Sequence, residues 1–352
     1  MYKYIGNLRT IVRYTNKYNT NGDQLKFLLL TRWTCSLALA ILGINSTVTY
    51  AQNSTYPNKT VRIVVPFPAG GTADILPRVL SEKLTKKWPA GIIVENKTGA
   101  GGNIGAEIVF KSDPDGYTLL ASPPGPLAIN RSLYKNLNYD SNQFVPITIM
   151  AAVPNVMVVS PKFPAKNIKE LIAYAKANPH KINFASQGNG STSHLTAMMF
   201  QKMAGIQMTH VPYKGTTPAL TDIMGGQVDL FFDNLSSSLT YHKAGKLRIL
   251  GVADLKRSPT IPEIPTISES GLKNFSAVTW FGIVAPPGTP EAVASYLNST
   301  FVELLKLPEV KKSFLEQGAV PIGGNIKETN QFIHTEVEKW GEVARSTKTE
   351  LD

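Results

Sequence analysis

A chain of 352 residues, 43% of them hydrophobic and 17% charged, is long enough for more than one core and too apolar to be disordered. Its net charge of +11 is dispersed, without the Lys/Arg stripe and interleaved aromatics of a nucleic-acid binder, so no nucleic-acid partner is expected. The one cysteine, Cys35, excludes a disulfide framework and a thiolate metal site.

Lys26 and Arg32 precede a run from Trp33 to Ile44 almost free of polar groups, and Thr49-Tyr50-Ala51 follows as a small-residue cleavage site. This pattern is that of a secretory signal peptide, residues 1–51, with cleavage after Ala51 and export of the rest. A membrane anchor is the competing reading, but the run is shorter than the roughly 20 apolar residues that span a bilayer. Cleavage would remove six basic residues and one acidic residue from totals of 36 and 25, leaving a net charge of +6. A mildly basic remainder suits an anionic solute and equally suits an ordinary soluble protein.

The stretch Ile63-Val64-Val65-Pro66-Phe67-Pro68-Ala69-Gly70-Gly71-Thr72-Ala73-Asp74 reads as a buried strand, a glycine turn and a helix start. Leu76, Leu80, Leu84 and Trp88 then line one helix face. A strand that turns through glycines into a helix aims free backbone N–H groups above the strand end, which favours an anion. Pro77 lacks an N–H and is harmless only in the first turn, so the spacing predicts Asp74 as N-cap, with Ile75, Leu76 and Pro77 following. On that geometry the amides of Gly71, Thr72 and Ala73 stay free for a ligand, and the Asp74 carboxylate caps its own helix.

Gly91–Glu95 reads as a strand and Asn103–Lys111 as a helix. The glycines between them run G-A-G-G-N-I from Gly99, with Ile104 where a dinucleotide fingerprint needs glycine, so a structural turn is the better reading and no cofactor is expected. Asp113-Pro114-Asp115-Gly116 is a turn without the later ligands of a calcium loop. The strand Tyr117–Ala121 leads into Ser122-Pro123-Pro124-Gly125-Pro126, a stiff loop whose donor is Ser122.

Val153–Ser160 reads as a strand leaving a first lobe, followed by a helix Asn167–Ala177. A second strand, turn and helix repeat the earlier design: Ile182–Ser186, then Gln187-Gly188-Asn189-Gly190, then Ser191-Thr192-Ser193-His194. The hydroxyls supply cap and donor groups, and His194 at a helix start is expected to be a neutral imidazole that donates a hydrogen bond, with plain packing the competing reading. Leu195, Met198, Met199 and Met203 read as core-facing. Thr217-Pro218 reads as a helix cap, and Val228–Asp233 as a strand whose Asp233 either faces a cleft or caps the next helix. Leu247–Ala253 and Val278–Ala285 are further strands, Thr289 caps a helix, and a last helix spans about Glu328–Ala344, burying Phe332, Ile333, Val337 and Trp340.

Alternating strand and helix signals indicate an α/β chain with mostly parallel sheets. The two cradles, with Gly99-Ala100-Gly101-Gly102-Asn103, Asp115-Gly116-Tyr117, His210-Val211-Pro212-Tyr213-Lys214-Gly215 and Gly225-Gly226-Gln227-Val228-Asp229, resemble the solute-binding proteins of tripartite tricarboxylate transporters, the Bug family. The resemblance runs from about Tyr56 to Asp352. It implies a two-lobed type II periplasmic-binding-protein fold, with 52–154 plus 279–352 as lobe 1, 155–278 as lobe 2, and crossings near Val153–Ser160 and Val278–Ala285. It further implies a monomeric periplasmic receptor that takes a small carboxylate and passes it to membrane permease subunits.

Carried over residue by residue, the resemblance gives Phe67, Ala69, Gly70, Gly71, Thr72 and Asp74 from the first loop as ligand contacts. From the second it gives Ser186, Gly188, Gly190, Ser191, Thr192 and Ser193, and it inclines Asp233 toward the pocket. A sensor presenting the same ligand to a membrane kinase would use the same site. A hydrolase has less support, because Ser191 or Ser193, His194 and Asp233 lack a G-x-S-x-G elbow and no histidine pair has metal-ligand spacing.

Overall fold

The computed structural model describes residues 56–346, so the export segment lies outside the described residues. Ten strands make one mixed sheet: β1 (Val61–Val65), β2 (Ile92–Asn96), β3 (Thr118–Ser122), β4 (Val145–Val159), β5 (Asn183–Ser186), β6 (Thr209–Pro212), β7 (Leu230–Asn234), β8 (Arg248–Ala253), β9 (Val278–Ala285) and β10 (Val320–Gly323). The order is β2-β1-β3-β9-β4-β7-β5-β6, with β10 and β8 also paired to β4. Strands β1, β2 and β3 are parallel to one another, as are β5, β6 and β7. Every antiparallel pairing involves β4 or β9, the strands that join the two groups.

The 15-residue β4 changes partners along its length. Up to Pro154 it pairs with β9 and β10, and from Asn155 onward with β7 and β8. A proline cannot donate to a ladder, so it suits the point where one set of partners gives way to the next. The molecule is thus two α/β halves on one shared strand. Residue Val153, read from sequence as the start of this strand, lies eight residues inside it.

Helices α1 (Thr72–Lys87), α2 (Asn103–Phe110), α3 (Ile168–Ala177), α4 (Thr192–Ala204), α5 (Thr216–Gly225), α6 (Leu235–Lys243), α7 (Glu291–Lys306), α8 (Pro308–Glu316) and α9 (Ile326–Ser346) cover the sheet. In α1 the spacing of four works as expected: Leu76, Leu80, Leu84 and Trp88 are buried against β1 and its neighbours. That apolar cluster continues through Val156, Val158, Ala185 and Phe231, so one core runs through both halves. In α9, Trp340 is fully buried while Phe332, Ile333 and Val337 are only partly covered. Met203 is exposed, because the face of α4 that packs inward is that of Ala197, Phe200 and Ala204. The cap of α5 is Gly215, two residues before Thr217, and the Thr289 hydroxyl bonds Pro286 O instead of capping α7.

The start of α1 differs from the expectation built on Pro77. Gly71 is the N-cap and Thr72 the first helical residue, which places Pro77 inside the helix, where the Ala73 carbonyl loses its usual donor. The earlier start is held from outside the helix, because Thr72 N donates to Ser237 Oγ at 3.0 Å. Asp74 is therefore in the first turn and is not the cap.

Candidate ligand-binding site

In a parallel sheet the strand-to-helix loops gather beyond the carboxyl ends of the strands, and both groups of parallel strands deliver their loops there. The loops of the two halves meet. Thr217 Oγ1 donates to Ala69 O at 3.1 Å, and Thr72 Oγ1 lies 2.9 Å from Ser237 Oγ. A β-carbon on Gly101 would sit 3.4 Å from Asn189 O, and one on Gly215 only 2.7 Å from Pro68 Cδ. Gly215 also has φ +117°, so glycine is required there both by conformation and by the approach of the opposite half.

The first loop is fastened by Asp74. Its carboxylate, almost wholly buried, accepts Gly70 N at 3.0 Å, Arg78 Nε at 2.9 Å and Asn96 Nδ2 at 2.9 Å. Desolvation opposes its ionisation, but the bonds from Arg78, Gly70 and Asn96 outweigh it and hold the carboxyl below the usual range. Arg78 is thereby committed to Asp74 and Asn96. Asn96 also donates to Phe67 O, tying the end of β2 to the loop after β1.

The second loop is fastened from within. Gln187 N donates to Ser193 Oγ at 2.8 Å, Gly188 N to Ser186 Oγ at 3.2 Å, and Gly190 N to His194 Nδ1 at 3.2 Å. Ser191 caps α4 by accepting His194 N, and its hydroxyl donates to Gly188 O at 2.6 Å. The expected cap is therefore present, while the hydroxyls of Ser186, Ser191 and Ser193 and the amides of Gly188 and Gly190 hold the loop itself. Thr192 Oγ1 accepts from Thr279 on β9 at 3.0 Å, and Thr279 and Asn234 both reach Asn155 Oδ1 on β4.

The amides of Gly71 and Ala73 at the start of α1, and of Thr192 and Ser193 at the start of α4, take no acceptor among the described residues. These are the N-terminal N–H groups that a helix leaves unsatisfied, with the positive end of the helix dipole behind them. The site thus offers two helix ends with open amides. Neutral donors can hold an anion there without a buried cation.

Asp233 is fully buried at the end of β7 and organises the second half from beneath. Its Oδ1 accepts Gln187 Nε2 at 3.1 Å and Thr216 Oγ1 at 3.2 Å, and its Oδ2 accepts Ser238 Oγ at 2.7 Å. Burial pushes its carboxyl up to about 6, against bonds from Ser238, Asn234, Thr216 and Gln187. Gln187, which sequence reading passed over, links three elements by bonding Thr216, Asp233 and Asn234. Ser122 is fully buried, and its hydroxyl donates to Pro123 O at 3.0 Å.

His194 is buried and stacks on His210, with ring centroids 4.1 Å apart, and His210 stacks in turn on Phe184 at 4.8 Å. Burial pushes His194 down to about 4; burial and the facing His194 push His210 down to about 3. The neutral ring expected at a helix start is what the Gly190 bond requires, since an imidazolium nitrogen cannot accept, but in that bond His194 Nδ1 is the acceptor and not the expected donor. His194 turns to Gly190 and Asp233 to Gln187, Thr216 and Ser238, so they do not form a nucleophile–base–acid relay with Ser191 or Ser193. Among the described residues no group of His, Cys, Asp and Glu is placed to hold a metal ion.

A two-part α/β sheet with anion-directed loops converging from both sides defines a solute-binding receptor. Its family follows from comparison: residues 76–348 match the model of the tripartite tricarboxylate transporter family receptor, and the chain belongs to that family of periplasmic receptors. It is 37% identical to BugT of Bordetella pertussis over 299 residues, covering 84% of this chain and 92% of that protein. An R. palustris protein solved with adipate is 35% identical, with a TM-score of 0.82, covering 84% of this chain and 100% of the other. MatC from Rhodopseudomonas palustris with bound malate is 30% identical, with a TM-score of 0.78, covering 82% and 99%. The relatives are receptors, and this chain is a receptor and not an enzyme. No helix among the described residues is long and apolar enough to cross a membrane.

Proposed function

We propose that this receptor, exported after cleavage near Ala51, closes around one small carboxylate and delivers it to the membrane permease of a tripartite tricarboxylate transporter. The observation that carries the reading is the pair of helix starts with open amides, Gly71 and Ala73 on one side and Thr192 and Ser193 on the other. A carboxylate has two oxygens and suits donors from two directions. Family relatives solved with adipate and malate support a carboxylate as the class of ligand.

On this reading lobe 1 comprises 52–154 with 279–352 and lobe 2 comprises 155–278, divisions supported by the change of partners at Pro154–Asn155 and by β9 returning to the first group. Of the site residues, Phe67, Ala69, Gly70, Gly71 and Thr72 would line one side, and Gly188, Gly190, Ser191, Thr192 and Ser193 the other. Asp74, Ser186 and Asp233 would set the loops from behind, and Ser122 would shape the wall. The receptor would act as a monomer. The test is a thermal-shift screen of mono-, di- and tricarboxylates on the protein lacking residues 1–51. A ligand at 100 times its Kd should add about 2.7 kcal/mol of stability, and a panel that shifts nothing overturns the carboxylate reading.

A further inference from the structure

The ring stack beneath the second loop has a role that its place in the core does not explain. Phe184 on β5 and His210 on β6 are register partners, and His194 comes down onto them from the first turn of α4. Two of the three rings are imidazoles, and each sends a nitrogen to the loop that runs between β5 and α4. Nδ1 of His194 accepts Gly190 N at 3.2 Å, and Nε2 of His210 lies 2.7 Å from Ser186 Oγ. The Ser186 hydroxyl also reaches Gly188 O at 3.1 Å and accepts Gly188 N at 3.2 Å. The one Ser186 proton can serve Gly188 O or His210 Nε2, so the imidazole bonds Ser186 as donor in one tautomer and as acceptor in the other.

The segment held in this way is Ser186-Gln187-Gly188-Asn189-Gly190, in which Gly188 has φ +125° and Gly190 φ +75°. Two glycines in the left-handed region give a loop with many competing conformations and a large entropy cost of ordering. Hydrophobic packing cannot select among them, because glycine has no side chain to pack. Directional bonds to both glycine amides can, and both bonds lead to the imidazole pair, directly for Gly190 and through Ser186 for Gly188.

Resting on the carboxylate reading above, we propose that His194 and His210 are positioning residues for ligand capture, which fix the second loop so that the Thr192 and Ser193 amides face the anion. They do not touch the ligand. Phenylalanine or leucine would fill the same space and preserve the stack's packing, yet would leave Gly190 N without its acceptor or Ser186 Oγ without its bond to the ring.

The experiment compares two substitutions at each position: His194→Leu with His194→Asn, and His210→Leu with His210→Gln. The amide side chains return an acceptor near Nδ1 or a group that can donate or accept near Nε2, and the leucines return neither. Hydrogen exchange of the Gly190 and Gly188 amides is followed by NMR, and adipate is titrated by calorimetry. The leucine variants should speed exchange and weaken adipate by about tenfold, as a lost buried hydrogen bond does, and the amide variants should recover most of both. Leucine variants that exchange and bind like the parent, or amide variants no better than leucine, overturn the proposal. If a leucine variant fails to fold, its amide partner against the parent decides: exchange and affinity within about threefold uphold the role, and a loss matching tenfold or more overturns it. Should the parent not bind adipate, that ligand fails, while the exchange arm still decides the role of the histidines.

Discussion

Thr72 and Ser237, 165 positions apart, join the two halves through a shared hydroxyl: Ser237 Oγ accepts Thr72 N at 3.0 Å and lies 2.9 Å from Thr72 Oγ1. Both residues are buried, so this contact belongs to the arrangement in which the loops of the two halves are together. Ser237→Ala would leave a buried amide and a buried hydroxyl unsatisfied only in that arrangement. We expect carboxylate affinity to fall by about tenfold, from a penalty of roughly 1–3 kcal/mol, with little change in melting temperature without ligand. Calorimetry giving equal affinities would separate this bond from closure.

Gly71 faces Thr216 of the other half, with 3.5 Å between a built β-carbon and Thr216 Cβ. A β-carbon alone fits, and its backbone, φ −86° and ψ 167°, is open to any residue. Gly71→Val adds two further methyls against Thr216 and above the open amides. The variant should keep its circular dichroism and lose carboxylate binding, and Gly71→Ala should bind more weakly than the parent. A Val variant with parental affinity would show that this loop does not line the site.

Asp74 ties Gly70, Arg78 and Asn96, so its loss reaches further than a missing cap. Asp74→Ala is expected to cost about 1–3 kcal/mol of stability, the cost of leaving buried partners unsatisfied, and to weaken binding by freeing Gly70. Because the folded carboxyl titrates below its ordinary range, this contribution is present at neutral pH and is lost as the pH falls through the folded value. Chemical denaturation of parent and variant should therefore converge in acid.

Three titrating groups of the second half, Asp233 and His194 buried and His210 half-buried, pull in opposite directions. His194 and His210, lowered to about 4 and about 3, favour the folded state above their unfolded value near 6.5, and that benefit is lost as the pH falls. Asp233, raised to about 6, contributes stability below its unfolded value near 3.9 and loses it as the pH rises through 6. Between about pH 6 and pH 4 the carboxyl offsets part of the imidazole penalty. Asp233→Asn should make the acid loss of melting temperature steeper, and His194→Asn with His210→Gln should make it shallower. A profile indifferent to either change would show that these groups titrate normally.

Closure itself is read by small-angle scattering. If open and closed forms interconvert about β4 and β9, saturating carboxylate should lower the radius of gyration of the receptor. Identical profiles, with binding proved in the same sample, would mean that the loops already meet without ligand.

Much of this molecule is written locally. The run Val61–Val65, the spacing of Leu76, Leu80, Leu84 and Trp88, and the return strand Val278–Ala285 have the periodicities of strand and helix, and those depend on neighbours a few residues away. The glycine turns ahead of two helices likewise announce helix-start amides without an intrahelical acceptor, because these follow from backbone geometry alone. What the local rules could not supply is which groups find partners across the fold. Pro77 argued for a helix beginning after Asp74, and a hydroxyl 165 positions away holds the start at Thr72 instead. Asp74 looked like a cap, yet its partners include Asn96 on the next strand, placed there by the parallel register of β1 and β2. The hydroxyls of Ser186 and Ser193 read as donors, and the fold adds bonds within their own loop, to Gly188 O and from Gln187 N, that local rules do not announce. His210 carried no sign of its task, because only the pairing of β5 with β6 and the descent of α4 bring it between Phe184 and His194. A sequence fixes each residue's capacity to donate, accept or pack, whereas the choice among partners is made by the whole sheet, through the shared strand β4, once it has folded.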